Sequence, residues 1–187
     1  KCRTGVDDND DYEFLKTFIN TVKDSGVKTF IVHARKGLLK GLSPRQNRNI
    51  PPLNYQKVYS LKEDFPELEI IINGGIKTIS ETKNHLNYVD GVMLGRAAYD
   101  DPFMLSNIDS EVFSDTKIEI SRKDLLNEYL DYVHLMAKKG YDPKIMLKHI
   151  FGLKKGEKDA KRFRVKVAEI MNSSKLVENK DELLSMV

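Results

Sequence analysis

The 187-residue sequence contains a single cysteine, Cys2, and this excludes a disulfide-stapled scaffold. One thiol in a chain of this size fits a reducing, cytoplasmic compartment. No apolar run approaches the ~20 residues that a membrane helix needs, so no bilayer-spanning segment and no membrane partner are expected. A signal or transit pattern is also missing at the start. The first residue is Lys rather than Met and already reads as part of a strand, so the chain is expected to be a piece of something larger. Charged residues at 32% and hydrophobic residues at 40% exclude collagen-like, low-complexity and wholly disordered classes. At roughly 100–200 residues per domain, the length allows one medium domain or two small ones.

The sequence also lacks a strong net charge, with 31 Lys+Arg against 28 Asp+Glu, but the charge is unevenly distributed. Lys1 to Ile118 carries 16 positive and 17 negative side chains, and Glu119 to Val187 carries 15 and 11. Within the second part, Lys138 to Lys166 holds 11 basic and 3 acidic residues. A solvated helical face usually mixes signs, so a one-sign stretch of this length suggests a polyanionic partner.

Hydrophobic periodicity divides the chain into two regimes. Residues 1–5 (KCRTG) read as a strand end. Asp10, with Glu13 three residues on, predicts the cap of a helix to about Ser25, with Leu15, Phe18, Ile19 and Val22 as its buried stripe. Gly26 supplies the stop. Thr29–His33 (TFIVH) reads as a fully buried parallel strand, followed by a polar loop, residues 34–54, and a helix from about Tyr55 to Glu63. Leu68–Asn73 and Gly91–Leu94 are further strands, and Thr78 with Glu81 predicts a capping box between them. Alternating strands and helices, with strands too apolar to have a wet face, indicate βα units in a parallel sheet. From Ser121 onward only helices are expected: one capped by Ser121 and closing at Gly140, one opened by Asp142-Pro143 and running to about Phe151, one over Asp159–Asn172, and one over Asn179–Val187. The boundary is expected between Asn107 and Ile120, giving domains 1–113 and 114–187.

Ligands of parallel α/β sheets and barrels sit at the carboxyl ends of the strands. Those ends here carry Lys1, then His33 with Arg35, then Asn73-Gly74-Gly75, then Gly95-Arg96. Glycines before a helix let backbone N–H groups approach a phosphate, and the Arg96 guanidinium can bind the same anion bidentately. Each feature alone is weak, since Gly-Gly after a strand is most often a turn and a lone histidine most often a core residue. Four successive strand ends of this kind predict a phosphorylated cofactor with a planar head reached by Lys1 and His33. Strand alternation turns Cys2 toward the helices if Lys1 faces inward, which argues against Cys2 as a nucleophile. His85, His134 and His149 share no ligand spacing, and no metal is expected.

The segments KCRTGVDD, FIVHARKGLLKGLSPRQNRNIPPLNY, INGGI and GVMLGRAAYDDP resemble the carboxyl-terminal part of the tRNA-dihydrouridine synthases, most nearly the A subfamily. The tail matches less strongly, through GLKKGEKDAKRFR. The resemblance implies an α/β fold followed by an all-α part: the second half of a (β/α)8 TIM barrel from about the fifth strand, then a helical tRNA-binding bundle. It implies FMN as cofactor, NADPH as reductant and tRNA as partner, with uridines 20 and 20a of the D-loop reduced to dihydrouridine. By resemblance, Lys1 and His33 hold the flavin head, and Asn73, Gly74, Gly75, Gly95 and Arg96 hold its phosphate. Arg45, Arg48, Lys161 and Arg164 match basic positions that contact tRNA. The family's proton-donating cysteine lies before Lys1 in family order. No catalytic residue is therefore expected in this chain, and the 187 residues alone are expected to be inactive. Four strands cannot close a barrel, and their open edges invite self-association. Two rival readings are another flavin TIM-barrel oxidoreductase acting on a small molecule, which needs no basic helical appendage, and a non-catalytic RNA-binding fragment.

Overall fold

The computed structural model describes residues 1–113, 116, 119–172 and 180–187. These form two compact units, Lys1–Gly95 and Arg96–Val187. The division lies ahead of the 113/114 boundary expected from sequence, which falls inside the second unit.

The first unit runs β1 (Cys2–Arg3), α1 (Tyr12–Asp24), β2 (Thr29–His33), α2 (Pro44–Asn47), α3 (Tyr55–Asp64), β3 (Glu69–Asn73), α4 (Ile79–His85) and β4 (Gly91–Met93). The four strands make one parallel sheet in the order β1-β2-β3-β4, so β1 and β4 are its edges. Strand β1 is shorter than the five residues expected. The side chains of β2 and β3 alternate strictly: Phe30, Val32, Ile70 and Ile72 are buried, whereas Ile31, His33, Ile71 and Asn73 are only partly covered. The expectation of a fully buried β2 is corrected accordingly. Its helix-facing side packs with Leu15, Ile19, Val58 and Leu61 into one core.

The helix caps follow local chemistry. Asp11, not Asp10, caps α1, its carboxylate accepting from the Phe14 N–H at 2.7 Å. Asp10 instead pairs with Lys57 at 2.9 Å and Lys36 at 3.4 Å, where two ammonium groups hold the carboxylate away from the helix end. Leu15 and Ile19 form the buried stripe of α1, but Phe18 is 44% exposed and Phe14 39%. Both phenyl rings face a cleft of about 610 Å³ shared with Cys2, Val6, Leu39 and Leu42. Gly26, at φ +95°, closes α1 in a conformation that side chains resist. Thr78 and Glu81 form the expected capping box of α4.

Among its described residues the second unit contains helices and no strand. It runs α5 (Arg96–Asp100), a 3-10 turn over Pro102–Asn107, α6 (Ile108–Val112), α7 (Arg122–Lys138), α8 (Pro143–Leu147), a second 3-10 turn over Lys148–Ile150, α9 (Ala160–Asn172) and α10 (Lys180–Leu184). Ser121 and Asp124 close a capping box on α7, and Asp142 caps α8 with Pro143 in its first turn. The α8 segment tightens to 3-10 geometry before Phe151 rather than continuing as one α-helix. The Asn179 start expected for the last helix lies outside the described residues. Leu126, Leu130, Leu147, Leu153, Phe163 and Val167 fill the core. Arg122 ties its chain segments together: the guanidinium donates to the Leu153 carbonyl at 3.0 Å, pairs with Glu157 at 3.1 Å and lies 4.0 Å from the Phe103 ring centroid.

Candidate functional site

The sheet register sets the site. Arg3 pairs with His33, His33 with Asn73, and Asn73 with Met93, so one row crosses the carboxyl ends of all four strands on the face away from the helices. Lys1, two residues before Arg3, shares that face, while Cys2 turns into the helix-side core beside Val32. Burial raises the Cys2 thiol above its ordinary pKa, opposed by the neighbouring positive charge of Lys1, and this suits a packed side chain rather than a nucleophile.

Within this row Lys1 Nζ donates to Asn73 Oδ1 at 2.9 Å, and Asn73 Nδ2 donates to the Met93 carbonyl at 2.7 Å. Burial lowers the pKa of the Lys1 ammonium; the partial charge of Cys2 opposes that shift and Arg3 adds to it. The loop after β3 folds back onto the row. Gly74 and Gly75 have φ of +118° and +74°. A Cβ on Gly74 would stand 2.6 Å from His33 Cδ2, and one on Gly75 would stand 2.6 Å from Leu53 Cδ1. Gly74 is thus required by backbone conformation and by the close approach of the His33 ring, and Gly75 by backbone conformation. Gly95 differs: its φ is ordinary, and a Cβ there meets nothing within 4 Å.

Ile76 and Lys77 separate Gly75 from the Thr78 cap, and the backbone N–H groups of Lys77 and Thr78 both donate to Glu81 Oε2, at 2.7 and 3.0 Å. Those donors are already used by a carboxylate.

The long loop after β2 is pinned by Arg3, whose guanidinium donates to the Lys36 carbonyl at 2.8 Å and the Asn47 carbonyl at 3.0 Å. Burial and repulsion from Arg48 and Arg35 lower the Arg3 pKa, yet a guanidinium remains charged throughout the working range. Asn47 reciprocates with Leu38 through both ends of its amide. Arg45 and Arg48 stand exposed on and just after the short α2.

The structure therefore brings Lys1, His33, Asn73 and Gly74-Gly75 together and puts Gly95 at the end of the neighbouring strand. Arg96 follows Gly95 in the chain and opens the second unit. Lys161 and Arg164 are exposed one turn apart on α9, whose buried side is Phe163, Val167 and Ile170. Sequence reasoning passed over Arg3, Leu53 and Tyr55. Arg3 could have been found by strand alternation from Lys1, whereas nothing local distinguishes Leu53 or Tyr55.

The family model for dihydrouridine synthase matches residues 1–186. The chain is 43% identical over 169 residues to a tRNA-dihydrouridine(20/20a) synthase of Shewanella oneidensis, covering 90% of this chain and 50% of that protein. It is 43% identical over 169 residues to the enzyme of the same name in Pasteurella multocida, covering 90% and 52%, and 44% identical over 170 residues to that of Escherichia coli O6:H1, covering 90% and 51%. The chain spans about half the length of the curated relatives it matches. A match over nearly every residue, centred on a parallel α/β sheet of the kind TIM barrels use, makes this chain a member of the dihydrouridine synthase family.

Proposed function

We propose that these residues form the FMN-phosphate side of a tRNA-dihydrouridine synthase: the second half of its barrel, followed by a helical tRNA-binding domain. The observation that carries this reading is the row of Lys1, His33 and Asn73 under a glycine loop at adjoining strand ends. The donor set fits a flavin mononucleotide. Lys1 and His33 supply N–H groups for the carbonyls and ring nitrogens of a planar head, and the backbone at Gly74-Gly75 and Gly95 suits a phosphate. Gly95 adds a cradle, because the space a methyl would enter is open. When bound, the flavin would supply a hydride to the uracil ring, replenished by NADPH. This chain's residues bind and orient, and the proton donor is not among them. Cys2 packs against the helix-side core and is not assigned as that donor, and on this reading the 187 residues alone form no dihydrouridine.

The half-barrel reading accounts for three surfaces otherwise unexplained: the exposed Phe14 and Phe18, the half-covered Ile31 and Ile71, and the outermost strands β1 and β4. Four further βα units would cover them, and self-association through the same edges is the alternative. Recognition of tRNA is assigned to Arg45 and Arg48 on the loop after β2 and to Lys161 and Arg164 on α9, by phosphate and shape contacts. Uridines 20 and 20a, named for the relatives, are the proposed targets.

The test uses the full-length protein. It should carry FMN visible in its absorbance, shift tRNA in a salt-sensitive gel assay, and form dihydrouridine in unmodified tRNA with NADPH. Flavin binding without a tRNA shift would favour a small-molecule oxidoreductase. RNA binding without flavin would favour a non-catalytic RNA-binding role.

A further inference from the structure

The glycine loop is held from behind by a group that no part of the reading above uses. Tyr55, the first residue of α3, donates its hydroxyl to the Gly74 carbonyl at 2.8 Å. Its ring packs edge-on against His85 with centroids 4.5 Å apart, and His85 is buried and hydrogen-bonded through Nδ1 to the Tyr59 hydroxyl at 2.7 Å. The Asn54 N–H donates to the Ala34 carbonyl at 2.8 Å, which anchors the start of α3 to the end of β2. The phenol is thus clamped by an edge-to-face ring contact on one side and by the chain before it on the other. Burial, reinforced by Glu81 and opposed by Arg35, raises its pKa, so the hydroxyl stays protonated and remains a donor.

Peptide geometry gives this bond a consequence. The carbonyl of Gly74 and the N–H of Gly75 belong to one peptide unit, and in a trans peptide they point in opposite directions. Fixing the carbonyl toward α3 turns the Gly75 N–H away from α3. Two successive glycines would otherwise leave that unit free to rotate by half a turn, presenting a carbonyl oxygen where an anion needs a donor.

We propose that Tyr55 is a positioning residue for the flavin phosphate: its hydroxyl fixes the 74–75 peptide so that the Gly75 N–H, not the Gly74 carbonyl, faces the anion. The inference rests on the flavin reading above, and its test separates the two. In the full-length protein, dissociation constants for FMN and for riboflavin, which lacks the phosphate, are measured by quenching of flavin fluorescence. Tyr55→Phe keeps the ring and its edge-on contact with His85 and removes only the donor. It should weaken FMN about five- to tenfold, the worth of one hydrogen bond, and change riboflavin less than about twofold. Replacing Tyr55 with 4-aminophenylalanine, whose N–H can donate from the same place, should restore FMN affinity to within about twofold of wild type. This arm stands even if the phenylalanine variant folds poorly. Equal losses for FMN and riboflavin, an unchanged FMN affinity in Tyr55→Phe, or no rescue in a folded amino variant each overturn the proposal. Wild-type protein that binds neither flavin overturns the flavin reading, and the positioning role falls with it.

Discussion

Two glycines at the strand ends are glycine for different reasons, and alanine at each separates the scaffold from the ligand cradle. At Gly74 the backbone sits at φ +118° and a methyl would stand 2.6 Å from His33 Cδ2. Strain of about 1–3 kcal/mol for a side chain in such a conformation adds to about 1–3 kcal/mol for overpacking against a ring. Gly74→Ala should therefore cost about 2–6 kcal/mol, less to the extent that His33 swings aside. At Gly95 neither penalty applies, since φ is ordinary and nothing lies within 4 Å of the added Cβ. Gly95→Ala should change stability by less than about 0.5 kcal/mol. On the proposed reading its methyl enters the space of the phosphate and weakens FMN at least about tenfold, or 1.4 kcal/mol. Urea denaturation followed by far-ultraviolet circular dichroism gives the first quantity, and flavin fluorescence quenching gives the second. A Gly95→Ala protein that loses more than about 1 kcal/mol of stability would show that the backbone demands glycine there, and one that binds FMN like wild type would show that no phosphate does.

Three further outcomes follow from the same structure. Phe163 is fully buried at the centre of the helical core, and Phe163→Ala should destabilise that unit by about 3–5 kcal/mol in a thermal or urea melt. Burial, opposed by Glu81, holds the His85 imidazole below its ordinary pKa, so folding favours the neutral ring. Its contribution is fully present above the unfolded value of about 6.5 and is lost as pH falls through the lower folded value. Stability measured from pH 7.5 to 5 should fall on acidification, and His85→Gln should flatten that slope; an unchanged slope would contradict the assignment. Lys161→Ala with Arg164→Ala should weaken tRNA binding and reduce its salt dependence while leaving FMN absorbance intact. Loss of flavin with tRNA affinity retained would contradict the roles proposed for these two residues.

The order of strands and helices was legible because the apolar runs of β2 and β3 are short, β-branched and bounded by glycine or polar loops. Most caps were legible too, because Ser121, Thr78 and Asp142 each stand at a helix start with the partner that a cap requires. Asp10 failed where two aspartates compete: the cap goes to whichever carboxylate is not claimed elsewhere, and Lys36 and Lys57 claim Asp10 from distant parts of the chain. Phe18 failed because helical spacing marks every apolar residue near the buried face and cannot say how wide that face is. The full burial expected of β2 failed for a related reason. An apolar run reports what a strand can tolerate on both faces, and the sheet described here covers only one.

The candidate site divides along the same physical line. Lys1, His33, Asn73 and the glycines were legible because each stands at a strand terminus, and register alone then brings them together. Arg3, Leu53 and Tyr55 were not, because each acts at a distance in sequence: Arg3 on carbonyls 33 and 44 residues away, Tyr55 on one 19 residues away. A tyrosine at a helix start has many ordinary uses, and only the fold shows that this hydroxyl lies behind a two-glycine turn. The consequence is asymmetric. Substituting a strand-end residue removes a contact to the proposed ligand, whereas substituting Tyr55 leaves every such contact in place and alters only which way a peptide faces. The phosphate-specific loss expected of Tyr55→Phe is therefore a signature that sequence similarity could not have supplied.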